Sequence, residues 1–457
     1  MSPRRHFMNS LYDADTNALS DASEITLRRA YSASEWRIIP ILFLLWLLAW
    51  VDRANVAFAK LQMLSDLHFS ETVYGFGAGL FFLGYVVFGI PSTMVQQRVG
   101  ARRTISVIAI GWGLTSVAMM FVRSAPLFYL LRFLLGAFEA GFYPGVILYL
   151  NQWFPTKRRT RNFSIFHSAA ICSTVVVGLT GGLVLQHMSG LLSLPGWRWM
   201  FLVQALPTLL LGCLVLFVLS DGPATASWLS PEERRLIQAD LARDQKRSSV
   251  EVNPQRPLLA NPVVWVLLAA YFCILTANTA LSFFIPTILR DAGFGGYTAI
   301  GNAIAAICIL GAIGNIAFCT YASRHGDVRY HCSIASVVSV ASLILLVLVW
   351  HSSRTATFTT LAFALAGTGA GISLFWQIPM RYLKANAAAV GVAFISSVAN
   401  LAGFLTPWLT GYVRQATGTY TSGFVTAACV QALAAVMLIV VLPLASRRDP
   451  HPLSSEY

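Results

Sequence analysis

Long apolar runs separated by short polar breaks dominate the chain. A run of about twenty residues can cross the hydrocarbon core of a bilayer as a helix. Such runs lie at 37–59, 74–96, 103–122, 126–150, 163–186 and 198–220. After a polar stretch they resume at 262–288, 298–321, 331–350, 356–381, 388–412 and 422–446. The pattern predicts an all-α polytopic membrane protein with twelve transmembrane helices in two six-helix bundles, over 37–220 and 261–446. Residues 1–36 are expected as an N-terminal tail, 221–260 as a central loop and 447–457 as a C-terminal tail.

Composition sharpens the class. The chain of 457 residues is 56% hydrophobic and only 11% charged, against about 25% charged in soluble proteins. Its mean hydropathy is +0.65. This excludes a water-facing surface of matching size. The net charge of +13 is not a nucleic-acid footprint, because the basic residues fall in short loops and form no stripe interleaved with aromatics. They alternate in side instead. Arg98, Arg102, Arg103, Lys157, Arg158, Arg159, Arg324, Arg329, Arg381 and Lys384 share a side with the tails and the central loop. Lys60, Arg123, Arg290, Arg354 and Arg414 occupy the opposite loops. The positive-inside rule then predicts cytoplasmic termini and an even number of spans. The first 36 residues contain no apolar core of a cleavable signal peptide, so the first span is expected to direct insertion.

Seven cysteines sit in or beside apolar runs at irregular spacing, and read as packing residues rather than disulfides or metal ligands. Within the central loop, Ser230-Pro231-Glu232-Glu233 reads as the capped start of a short amphipathic helix, with a plain linker as the alternative. Glycine pairs four apart (75/79, 141/145, 178/182 and 367/371) suit close helix packing.

The candidate chemistry comes from charges inside the spans. Of nineteen acidic residues, only Asp52 and Glu139 lie within the predicted helices, accompanied by Arg53 and Arg132. A charge near the bilayer centre is costly, so it faces a partner or an aqueous cavity and marks a functional path. Helical rise puts Asp52, Arg53 and Arg132 at one depth, with Glu139 about 10 Å further along the fourth span, near the midplane. Arg132, Glu139 and Tyr143 form a column on one face of that helix. Arg53 can hold a substrate carboxylate through two parallel hydrogen bonds, and Asp52 can pair with Arg132 in its absence. Burial and a nearby arginine push a carboxyl in opposite directions, so such a group can titrate as a cavity opens and closes. Tyr85, His167, Asn278, Ser373, Trp376, Gln377 and Asn400 are further polar or amphipathic positions inside spans. No nucleotide-binding loop and no nucleophile–base pair is present. No cofactor, metal or nucleic-acid partner is expected, and a monomer in lipid is.

Several stretches carry a family resemblance. Arg98-Val-Gly100-Ala-Arg102-Arg103, after the second span, resembles the loop signature of the major facilitator superfamily. The fourth span and its loop run from Arg132-Phe-Leu-Leu-Gly136 through Glu139, Gly141, Pro144 and Gly145 to Trp153-Phe-Pro155 and Arg158-Arg159. This run resembles the anion:cation symporter family of that superfamily, as do Asp52-Arg53-Ala-Asn55, Gly196-Trp-Arg-Trp-Met-Phe and Trp228-Leu-Ser-Pro-Glu-Glu-Arg234. The stretch Tyr74–Tyr85 is similar to the family's tartrate and hydroxyphenylacetate permeases, and the chain as a whole resembles its tartrate, hydroxyphenylacetate and galactonate permeases. The resemblance spans nearly the whole chain and is denser in the first half. It implies proton-driven uptake of organic anions across the bacterial inner membrane. It also implies Arg53 as the substrate-carboxylate residue, Asp52 and Glu139 as proton-coupling acids with Arg132 as basic partner, and Arg98, Gly100, Arg102 and Arg103 as a gating loop. Tyr85, Asn400, Ser373 and Trp376 match substrate-cavity positions. Two stretches depart from the family pattern: Gly89-Ile-Pro91-Ser92-Thr93, where glutamate and asparagine are common, and Ser323-Arg324-His325-Gly326, where an aspartate is common. Both bear on gating more than on substrate class.

The sequence therefore predicts a secondary transporter that imports a small carboxylate, such as a tartrate-like hydroxy acid, a sugar acid or an aromatic acid, by proton symport and alternating access. Uncoupled facilitation, anion exchange and a non-transporting sensor stand as alternatives.

Overall fold

The computed structural model describes the backbone of residues 3–248, 261–382 and 385–447. Helices make up nearly all of it. In the first half these are α1 (Pro3–Leu67), α2 (Glu71–Val99), α3 (Ala101–Ala118), α4 (Ala125–Glu139), α5 (Phe142–Trp153), α6 (Thr156–His187) and α7 (Gly196–Val218). The surface helix α8 (Pro231–Ser248) follows. The second half holds α9 (Pro262–Asp291), α10 (Tyr297–Ala322), α11 (Val328–Val349), α12 (Arg354–Phe375), α13 (Pro379–Tyr382), α14 (Ala385–Ala399), α15 (Leu401–Thr417), α16 (Thr421–Val436) and α17 (Leu442–Arg447). A π-helical turn over 437–441 joins the last two.

Eleven segments among the described residues are long and apolar enough to cross a membrane. The eleventh predicted run is absent from that number because it breaks at Asn400. Its pieces α14 and α15, of 15 and 17 residues, are each too short to span about 30 Å alone but do so end to end. The fourth run is also interrupted: α4 stops at Glu139 and α5 starts at Phe142. Three expectations need correction. Helix does not begin at 37, because the backbone of α1 is helical from Pro3. The tenth run is not helical through 381, because α12 stops at Phe375. Lys60 is no loop residue: it lies within α1, 3% exposed. The predicted tail from 448 onward, residues 249–260 of the central loop and Lys384 lie outside the described residues.

The two halves repeat one packing scheme. In the first half α1 packs on α6 and α7, α2 on α4, and α3 on α7. In the second half α9 packs on α14, α15 and α16, α10 on α12, and α11 on α16. Each half thus pairs its first span with its fifth and sixth, its second with its fourth and its third with its sixth, as expected of a duplicated transporter bundle. Between the halves, α2 meets α15, α6 meets α10, and α1 meets α9.

Glycine makes those crossings close. A Cβ on Gly75 or Gly79 would collide with the backbone carbonyls of Pro407 and Phe404, and one on Gly182 with the carbonyl of Tyr297. Without a hydrophobic drive between helices in lipid, such backbone approach supplies the packing energy. Gly371 differs, since an added Cβ there would meet only ordinary contacts at 3.7 Å.

These contacts lie toward the end of the molecule remote from α8. There the Nζ of Lys60 reaches Glu71 Oε2 at 2.7 Å and donates to the Tyr420 hydroxyl at 2.7 Å. Tyr420 in turn donates to Glu71 Oε1 at 2.7 Å. The ammonium also lies over the rings of Tyr74, Phe284 and Tyr420, at 4.6–4.9 Å from their centroids. Lys60 and Glu71 belong to the first half, Phe284 and Tyr420 to the second. Toward the α8 end, Val87, Ile90, Met94 and Val95 of α2 are exposed, and α14 packs on α9 of its own half. The halves therefore seal one end and part toward the other, leaving a central cleft open on the α8 side.

A testable consequence concerns this seal. Tyr420→Phe removes the two cross-half hydrogen bonds of this hydroxyl while keeping the Lys60–Glu71 pair and the ring. A charge-assisted hydrogen bond contributes about 1.5–3 kcal/mol, so the ratio of closed to open at this end should fall by about tenfold or more. Spin labels at exposed Ser65 and Ser352, in a cysteine-free background, should show a new longer distance component. An unaltered distribution would mean that Tyr420 does not hold the seal.

At the α8 end, the anticipated amphipathic helix is present and docked. Glu233 accepts from the Ser230 amide at 2.8 Å and donates its own amide to Ser230 Oγ at 3.2 Å. Ile237 is buried, Tyr31 donates to Asp240 at 2.8 Å, and Thr156 donates its amide to Asp244 at 2.9 Å.

Candidate binding site in the central cleft

Asp52 and Arg53 are adjacent on α1, so helical geometry turns their side chains about 100° apart. Asp52 faces α3. It is fully buried and accepts from Trp112 Nε1 at 2.9 Å, Ser116 Oγ at 2.8 Å and Asn55 Nδ2 at 3.2 Å. Trp112 and Ser116 lie four apart on α3 and present one face to it. Arg53 instead turns to the cleft. Its Nη2 and Nε lie 2.5 and 2.6 Å from Glu139 Oε1, and it is hydrogen-bonded to the Tyr85 hydroxyl.

The arrangement corrects one expectation. The Asp52–Arg132 ion pair does not form among the described residues; the pair is Arg53–Glu139. Depth along the helix axes put Asp52 level with Arg132, but rotation about α1 points it at α3. Arg132 is buried, donates to the carbonyl of Ala78 at 3.1 Å and lies 5.2 Å from the Phe81 ring centroid. Arg53 lies over the same ring at 5.3 Å. Phe81 thus touches both guanidinium groups. The expected column of Arg132, Glu139 and Tyr143 is split by the interruption after Glu139, and Tyr143 begins the next helix.

Exposure separates the partners. The Arg53 side chain is 14% exposed and that of Glu139 is 0%. Of the two, only the Arg53 side chain keeps any solvent access, and the carboxylate is fully covered.

The remaining predicted residues distribute around the cleft. Tyr85 joins Arg53 directly. Trp376 sits at the end of α12 with its ring 4.6 Å from that of Tyr271, which it hydrogen-bonds. Ser373, one turn earlier, is exposed and hydrogen-bonded to Cys319. Asn400 occupies the break between α14 and α15, its amide donating to Ser396 O at 2.8 Å. Tyr143 lies within electrostatic range of Tyr85 in its own half and Tyr271 in the other, so the two walls face each other there. Sequence reasoning missed Trp46, Trp50 and Tyr271. Aromatic residues in an apolar run carry no signal that separates packing from lining.

The expected gating stretch forms the turn between α2 and α3. Arg98, Arg102 and Arg103 are exposed. Gly100 has φ +96° and ψ 158°, and a Cβ there would meet Asp221 Oδ1 at 2.5 Å. Asp221 also accepts from the Arg102 amide at 2.9 Å, so it ties this turn to the segment after α7. Gly100→Ala should therefore destabilise the protein by about 1–3 kcal/mol from backbone strain, lowering its melting temperature in detergent. An unchanged melting temperature would show that the turn relaxes freely.

Comparison with known proteins now decides the family. Residues 42–407 match the model of the Major Facilitator Superfamily. The chain belongs to that superfamily. It is 39% identical over 416 residues to NicT of Pseudomonas putida, a protein named for metabolite transport, covering 90% of this chain and 94% of that one. It is 37% identical over 410 residues to an Agrobacterium vitis protein named for tartrate transport, covering 89% and 90%. The structure of a D-xylose-proton symporter superposes with a TM-score of 0.71 at 14% identity, over 90% of this chain and 98% of that one. This superfamily member is thus a multi-pass membrane transporter, not an enzyme.

Proposed function

We propose that this transporter imports a small organic anion together with a proton. One observation carries the reading: the guanidinium of Arg53 on α1 is held by the fully buried carboxylate of Glu139. A substrate carboxylate and Glu139 compete for the same donor geometry. When Glu139 is ionised it occupies Arg53. When Glu139 takes a proton, it no longer neutralises the guanidinium, and an incoming carboxylate can bind there through two parallel hydrogen bonds. Proton and anion then load together, and the site carries no added net charge as the halves rock. The coupling lies in the different affinity of the two protonation states for the anion.

Asp52 holds α1 to α3 through its neutral donors and serves as a second proton site. Tyr85 orients Arg53. Asn400 supplies a hinge where α14 meets α15, and Ser373 and Trp376 line the opposite wall. The turn at Arg98, Gly100, Arg102 and Arg103 acts as the gate on the open side. The charge alternation of the loops supports a cytoplasmic position for that side and both termini, and the bacterial relatives favour the inner membrane. The working unit is proposed to be the monomer, driven by protons without a cofactor.

Purified protein in proteoliposomes tests this. Uptake of a labelled carboxylate should rise when the outside is acidified against the lumen. Uptake that ignores the gradient would make the protein a facilitator or exchanger.

A further inference from the structure

We infer that the anion is an aromatic carboxylate, a planar ring bearing a carboxyl group, rather than a polyhydroxy acid. The inference rests on the reading of Arg53 as the carboxylate site and specifies what surrounds it. Around the guanidinium, ring centroids lie at 4.8 Å for Trp50, 5.0 Å for Tyr85, 5.3 Å for Phe81 and 5.4 Å for Trp46. The ring of Tyr143 lies 5.1 Å from Trp46 and extends this wall. Across the cleft, Tyr271 is packed against Phe375 and Trp376, with centroids 4.7 and 4.6 Å away. A carboxylate on Arg53 would project the rest of its molecule into a slot walled by π faces.

Two further observations agree. The indole N–H groups of Trp46 and Trp50 are buried without a hydrogen-bond partner. Trp46 is only 3% exposed. Buried donors in native structures are almost always satisfied, so two orphans flanking one guanidinium point to an acceptor-bearing ligand there. By contrast, the amides of Asn400 and Asn315 in the second half are engaged within that half. Asn400 is bonded to Ser396, and the Asn315 carbonyl accepts from Cys319 at 3.1 Å. The several hydroxyls of a polyhydroxy acid set against ring faces would lose more water than the two indole N–H groups can replace, which disfavours them. A ring would gain offset or edge-to-face contacts on both walls.

Titration calorimetry on the purified native protein tests the inference with benzoate, cyclohexanecarboxylate and L-tartrate. Cyclohexanecarboxylate matches benzoate in size and charge but has no π face. Benzoate is expected to bind about tenfold or more tighter than either competitor. Trp50→Leu should weaken benzoate about tenfold more than it weakens cyclohexanecarboxylate, and Trp50→Phe should restore most of that difference. Tighter binding of L-tartrate, or equal binding of benzoate and cyclohexanecarboxylate, overturns the aromatic assignment while leaving the anion site intact, provided Arg53→Ala abolishes that binding. If no carboxylate binds in an Arg53-dependent way, the anion reading itself fails and the aromatic assignment falls with it.

Discussion

Replacing Arg53 with alanine is expected to abolish saturable substrate binding. Truncating one side of a buried, hydrogen-bonded charge pair costs about 2–5 kcal/mol, which is about 30-fold or more in affinity. The single variant confounds two effects, because it also strands the carboxylate of Glu139, which is 0% exposed, without its cation. A stranded buried charge destabilises the fold by itself. The pairing with Glu139→Gln separates them. The double variant should regain the melting temperature of the parent and still bind nothing. Arg53→Lys should not rescue binding, since a lysine ammonium cannot reproduce the planar fork. If the double variant bound substrate with the parent's affinity, Arg53 would be a structural residue and the anion would sit elsewhere.

The second large effect is expected from Glu139→Gln alone. Glutamine resembles the protonated acid in shape and charge, so Arg53 would stand permanently available. Exchange of labelled for unlabelled substrate across the proteoliposome membrane should continue. Accumulation against a gradient should stop. One pH unit corresponds to about 1.4 kcal/mol per proton, so the parent could concentrate a neutralised substrate about tenfold per unit while the variant would only equilibrate it. Substrate affinity should also lose its dependence on pH. Sustained accumulation by the variant would move the coupling role to Asp52, whose three neighbours Trp112, Ser116 and Asn55 are neutral donors.

Both experiments turn on a contact that linear reasoning placed wrongly. The rise of a helix is uniform, so residue counting set the depths of Asp52, Arg53, Arg132 and Glu139 well enough to bring them to one region. Rotation is harder. Adjacent residues on α1 diverge by about 100°, and which of the two faces α3 depends on how α1 is turned against its neighbours. The same limit explains Lys60. Counting placed it just past the end of a span, whereas the helix runs on to Leu67 and buries it among Tyr74, Phe284 and Tyr420.

Some local features were legible because they are local. The reciprocal hydrogen bonds between Ser230 and Glu233 at the start of α8 involve residues three apart and need no other part of the chain. The break at Asn400 was not legible, since neither glycine nor proline stands there; it shows only once α14 and α15 are packed against α9.

What the sequence determined by itself was the solvent, the number of crossings and the rarity of charge within them. A bilayer imposes length and apolarity on every span and penalises each buried ion, so both leave marks in the linear chain. The tertiary structure decided the partners: Glu139 rather than Asp52 on Arg53, Asp221 on the turn at Gly100, Tyr420 bridging the halves, and the aromatic walls around one guanidinium. Pairing depends on the rotation of each helix about its axis and on the approach of segments up to 360 residues apart, and no periodicity within a single span encodes either.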